Sequence, residues 1–126
     1  MATIQPVEVP SSGGRIEAGV ATVTWATLTE TNTTGQGVRV AHFADRTVQM
    51  VGTFGGAAVA LQGSNDSTDG SNGTWGTLTD PQGNNISKSA AAMSVVMENP
   101  LWVRPLVTGG SGVNVNVILV GSTSRR

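Results

Sequence analysis

Thr47–Asn85 reads TVQMVGTFGGAAVALQGSNDSTDGSNGTWGTLTDPQGNN, and its punctuation decides the fold. In Thr47–Val51 the side chains of Val48 and Met50 fall on one face of an extended strand, and Thr47, Gln49 and Val51 on the other. That is the pattern of a half-buried strand. Gly55-Gly56 predicts a reversal into Ala57–Gln62, where Ala57, Val59 and Leu61 share a face, so two antiparallel strands are expected to meet there. Ser64–Gly73 then runs ten residues without an apolar side chain, a long polar loop. Trp75 and Leu78 restart apolar content before Asp80-Pro81-Gln82-Gly83-Asn84-Asn85, a turn in which Pro pre-sets φ and Gly or Asn accepts positive φ.

Outward from this stretch the same grammar continues. Residues 1–14 read as an extended edge strand or an arm, because Pro6 and Pro10 each remove a ladder donor. Arg15–Leu28 is a strand region with a bend or bulge expected near Gly19, and Val23 and Trp25 are assigned to the core. Thr29–Gly37 is loop, Val38–Phe43 a short apolar segment, and Asp45-Arg46 a separator. Ile86–Glu98 contains Ala-rich SKSAAAM, which suits a helical turn, but Ser94–Met97 reads as β and a strand is expected. In Leu101–Val107 one face carries Leu101, Val103, Pro105 and Val107, with Pro105 placing the strand near a sheet edge or at a bulge. Gly109–Gly112 reads as a hairpin loop. Val113–Val120, VNVNVILV, has the cleanest alternation, with Val113, Val115, Val117 and Leu119 inward. The sum is an all-β chain: an antiparallel β-sandwich or jelly roll of about eight or nine short strands over residues 15–121, with a polar tail at 122–126.

Composition narrows the functions open to such a chain. Its 126 residues form one domain able to bury roughly two-thirds of its unfolded surface without a metal or disulfide. There is no cysteine, so neither a disulfide framework nor a thiolate nucleophile is available. A net charge of -1, with Arg15, Arg39, Arg46, Lys88, Arg104, Arg125 and Arg126 scattered, argues against a nucleic-acid partner, which would select a basic stripe. Charged residues make up 12% of the chain, about half the usual share, and Thr, Ser, Asn and Gln supply solubility instead. No apolar run approaches the roughly 20 residues of a membrane helix, and neither membrane insertion nor signal-driven export is expected.

Candidate chemistry is sparse. His42 with Asp45 lacks a nucleophile on a strained elbow, and one His without Cys does not make a zinc site, so no cofactor and no catalytic residue are expected. Asn65–Gly70 starts like a calcium loop, but Gly76 occupies the twelfth position where Glu is required, and a solvated hairpin loop is the favoured reading. Of the tryptophans, Trp25, Trp75 and Trp102, the middle one sits beside acidic residues; Trp75 with Asp66 and Asp69 would form the platform if the domain bound carbohydrate.

The run from Val51 to Asn85, with its GTFGG, LQGSND and DPQGN segments, followed by ENPLWVRPLVTGG at Glu98–Gly110 and the alternating VNVNVILVG, resembles the head decoration, or cement, proteins of tailed bacteriophages. The resemblance implies a non-enzymatic virion protein that stabilises the outer capsid surface by binding neighbouring major capsid subunits. It would be made in the host cytoplasm and act as a homo-oligomer, a trimer in the first instance and a dimer in the second. Candidate contacts under this expectation are Ile4, Val7, Val9, Trp102, Arg104, Arg125 and Arg126. The alternatives are a carbohydrate-binding or adhesion module and a tail or head-completion protein.

Overall fold

Val115, Val117 and Leu119 are buried while Asn114, Asn116 and Ile118 between them are not, and this period of two builds the strand at the centre of the larger sheet. The computed structural model describes residues 3–10 and 20–122, apart from the side chains of residues 8–10. Its strands are β1 (Pro6–Pro10), β2 (Val20–Leu28), β3 (Val38–Arg39), β4 (Asp45–Thr53), β5 (Ala58–Ser64), β6 (Gly76–Thr77), β7 (Ser87–Lys88), β8 (Ala92–Val95), β9 (Trp102–Thr108) and β10 (Asn114–Ser122). They form two antiparallel sheets of five: β1-β2-β10-β4-β8, and β3-β9-β5-β6 with β7 also paired to β5. The chain is therefore all-β, with no helix among the described residues. The Ala-rich 89–91 segment is irregular because nothing apolar recurs there at helical spacing.

The strands pair in nested fashion. β2 lies beside β10, β3 beside β9, β4 beside β8, and β5 beside both β6 and β7, so the chain resembles one long antiparallel ribbon folded over. Consecutive strands β4 and β5 consequently lie in different sheets, as do β9 and β10. Gly55-Gly56 does not close a hairpin, as its sequence suggests, but carries the chain across the sandwich, and Gly109–Gly112 does the same. The reason is visible in the corner residues. Phe54, Ala57 and Val113 are buried, so the chain must turn through the core end rather than along a sheet edge. The two corners bind each other, Ser111 N–H donating to the Gly55 carbonyl at 2.9 Å.

The inward faces are those expected. Val48 and Met50 from β4, Val23 and Trp25 from β2, Val103 and Val107 from β9, and Val59 and Leu61 from β5 fill one core. Pro105 sits inside its sheet, between β5 and β3. Its missing donor falls where the pairing changes register between Thr34↔Leu106 and Val38↔Val103, an irregularity of the kind its ring requires. Ile4 closes the flank between the sheets. Its N–H donates to Thr34 O at 3.0 Å, its carbonyl accepts from Gln36 N–H at 2.8 Å, and its side chain packs on the core. Residues 11–19, including the bend expected near Gly19, and the tail from 123 lie outside the described residues.

Candidate functional site

The polar loop 64–74 builds its own scaffold. Asp66 Oδ1 accepts the Ser64 hydroxyl and the Thr74 N–H, both at 2.8 Å. Asp69 Oδ1 accepts the N–H groups of Ser71 and Asn72 at 2.8 and 2.9 Å, and Asn72 Oδ1 accepts the Thr68 N–H at 2.8 Å and the Ser67 hydroxyl at 2.9 Å. Hydrogen bonds to backbone N–H hold the carboxyls of both Asp66 and Asp69 below the usual range. These carboxylates act as turn formers. Gln36 ties the loop to the body: its backbone carbonyl accepts Trp25 Nε1–H at 2.9 Å, and its side chain reaches Asp69 O at 2.8 Å and the Ser71 hydroxyl at 2.9 Å. Among the described residues no three or more His, Cys, Asp and Glu gather where a metal ion could be held. His42 is exposed and stacks on Phe43 at 4.1 Å between centroids.

Beside this loop the outer face of the second sheet alternates tryptophan and arginine. The Arg104 guanidinium lies 4.1 Å from the centre of the Trp75 ring and donates Nε–H to Gln62 Oε1 at 3.0 Å. Arg39 lies 5.7 Å over Trp102, and Trp102 also packs against the loop at Gly70. Trp75 donates Nε1–H to the Asn72 carbonyl at 2.9 Å. One ring face and the polar edge of Trp75 are thus taken up internally, and Asp66 and Asp69 each spend Oδ1 on donors within the loop. The Arg104 guanidinium, partly stripped of water, has its pKa pulled down by burial.

The outer face of the first sheet is of the opposite character. Strand registers align Val7, Thr24, Ile118, Gln49 and Met93 in one row across all five strands. The adjacent row runs through Thr22, Val120, Thr47 and Val95, and meets the backbone of Val9, whose side chain lies outside the described set. Neither row carries a charged side chain over a width of roughly 20 Å. Val7 is 61% exposed, Met93 66% and Val95 50%. The candidate contacts named from sequence therefore do not converge: Val7 lies on this face, Trp102 and Arg104 on the opposite one, and Ile4 on the flank. Arg125 and Arg126 lie outside the described residues.

Arg46 was missed as anything more than a separator. It continues the inward phase of Val48 and Met50 and is buried at 4% exposure, its Nη1 donating to Asn99 Oδ1 and its Nη2 to the Glu98 carbonyl. Burial lowers its pKa, opposed by the charges of Glu98 and Asp45. The only signal in the sequence is its even-numbered phase with Val48.

Comparison with protein-family models, with curated proteins and with solved structures returns no match for this chain.

Proposed function

We propose that this chain is a virion structural protein that decorates the outer surface of a tailed-phage capsid and stabilises it by binding neighbouring major capsid subunits. The observation that carries the proposal is the pair of uncharged rows across the first sheet, from Val7 to Met93 and from Thr22 to Val95. A neutral face with scattered exposed apolar groups suits docking onto another protein, because neither desolvated charge nor like-sign repulsion opposes contact. The finer fold belongs to the same proposal. Strand order β2-β10-β4-β8 facing β3-β9-β5-β6 supports a jelly roll, an architecture used by viral capsid and lectin domains. The likeness of its GTFGG, LQGSND and DPQGN segments to decoration proteins supports the same reading.

Such a protein works by mass action. Binding only assembled subunits, it lowers the free energy of the shell relative to its separated parts and needs no reactive group. On the shell it would act as a homo-oligomer, a trimer at three-fold positions or a dimer at local two-folds.

The test is co-sedimentation of the purified chain with empty shells assembled from the major capsid protein of the same phage. Stoichiometric attachment to shells, none to free capsid subunits, and shells that survive higher temperature are expected. Absence of attachment refutes the function. Val7→Glu combined with Ile118→Lys should weaken attachment at least about tenfold while far-UV circular dichroism is unchanged; undiminished attachment moves the contact to another face.

A further inference from the structure

The sheet edges are not alike. β1, one edge of the first sheet, carries Pro6 and Pro10, which are in phase and withdraw two N–H donors from the same side of the strand. β8, the opposite edge, has no such protection. From Ser89 to Met97 the chain carries neither a charge nor a proline; Met93 and Val95 stand exposed on the outer face, and Met97 just after the strand is exposed as well.

Hydrogen bonds show which rungs of β8 are open. Val96 N–H donates to Arg46 O at 3.1 Å, towards β4, so Ser94 and Val96 spend their backbone groups inward and Met93 and Val95 aim theirs away from the sheet. Met97 N–H, also aimed outward, is already taken by Thr79 O at 2.9 Å. The Val95 carbonyl accepts the Ser94 hydroxyl at 3.2 Å, which leaves its second lone pair open. Where β8 ends beside β4, a groove of about 520 Å³ is lined by Val95, Val96, Met97 and Pro81 on one side and by Asp45, Arg46, Thr47 and Asn99 on the other.

We propose that β8 is the edge through which two copies of this chain join, antiparallel about a two-fold axis through Ser94. That axis sets Met93 against Val95 of the second copy and the reverse, so both open rungs on each copy exchange both their hydrogen bonds. It also places the Met93 side chain of each copy beside the other's Val95, at the groove. A second copy is the occupant because this strand offers no charge to select a different partner, meets its own image without repulsion, and matches itself rung for rung. The two five-stranded sheets become one of ten strands, which doubles the uncharged outer face. This pairing needs only the chain itself and holds whether or not it sits on a capsid.

Analytical ultracentrifugation of the purified full chain over a wide concentration range should give twice the chain mass. Met93→Glu with Val95→Glu, both exposed positions, should raise the dimer dissociation constant at least about tenfold while circular dichroism is unchanged. The chain has no cysteine, so Ser94→Cys introduces one thiol per copy; across the axis the two face each other as a non-hydrogen-bonded pair, about 4.5 Å between Cα atoms, within disulfide reach. Mild oxidation should cross-link Ser94→Cys into a covalent dimer, and Val95→Cys much less. A monomer at every concentration, a dimer indifferent to the double glutamate variant, or preferential cross-linking of Val95→Cys would each overturn the proposal.

Discussion

Arg46 is a buried cation spent on structure. Its two Nη groups bind Asn99 Oδ1 and the Glu98 carbonyl, and through them the segment leading into β9 is fastened to β4. Hydrogen bonds from a charged group contribute roughly 1.5–3 kcal/mol each when intact, so Arg46→Ala should cost about 3 kcal/mol in urea unfolding. Lysine, with a single point of donation, should recover less than half of that loss. Gly70 is a second residue whose identity is required. Its φ of +83° is left-handed, and a Cβ there would meet Gln36 Nε2 at 2.5 Å and Trp102 Cζ3 at 2.8 Å. Gly70→Ala should therefore destabilise by more than about 1 kcal/mol. Acid acts at the same scale. Backbone hydrogen bonds depress the carboxyls of Glu30, Asp66, Asp69 and Asp80. For Glu98 burial pushes upward and is outweighed by the Thr79 hydroxyl and N–H together with Arg46. Groups with a folded pKa below the unfolded value of about 4 contribute stability that is present above that value and lost as pH falls through the folded one. The urea midpoint should accordingly drop below about pH 4.

At the scale of the element, β10 shows how a strand between two neighbours divides its labour. It pairs with β2 on one side and β4 on the other, sending Val115, Val117 and Leu119 into the core and Ile118 and Val120 to the outer face. Leu119→Ala removes methyl groups from a site 1% exposed and should cost about 2–5 kcal/mol. The outward Asn116→Ala should change stability by less than about 0.5 kcal/mol. Equal losses at both positions would mean that the sheet is covered on both faces in solution. β1 is a different kind of element, since it shields the edge of β2 while Ile4 packs on the core. Deleting residues 1–10 therefore perturbs the sandwich as well as any contact made by Val7, and the Val7→Glu substitution separates the two effects.

Across the whole molecule, the two outer faces divide the work of solubility and contact. The second sheet presents Arg39 and Arg104 braced on indole rings and a self-bonded polar loop, while the first presents uncharged rows ending in a bare edge at β8. The nested pairing brings β2 beside β10, strands separated by most of the chain, so most contacts are distant in sequence. Loop-closure entropy is lost before those contacts form, and folding in milliseconds to seconds is expected for such a topology. Single-exponential refolding faster than about a millisecond in stopped-flow fluorescence would contradict it.

The amino-acid order alone settled which side chains face inward along β4, β9 and β10, because a period of two is a property of the extended backbone and needs no partner to be read. It also settled that the chain is all-β, through Gly, Pro, Asn and Asp placed between short apolar runs. Only tertiary structure decided which strands lie side by side. Gly55-Gly56 and Gly109–Gly112 supply the dihedral freedom to reverse the chain, but a reversal within a sheet and a crossing between sheets need the same local residues; the burial of Phe54, Ala57 and Val113 in a shared core chose between them. For the same reason the division of Val7 from Trp102 and Arg104, the inward turn of Arg46 and the open rungs of β8 were not legible in sequence: each depends on a neighbour far along the chain.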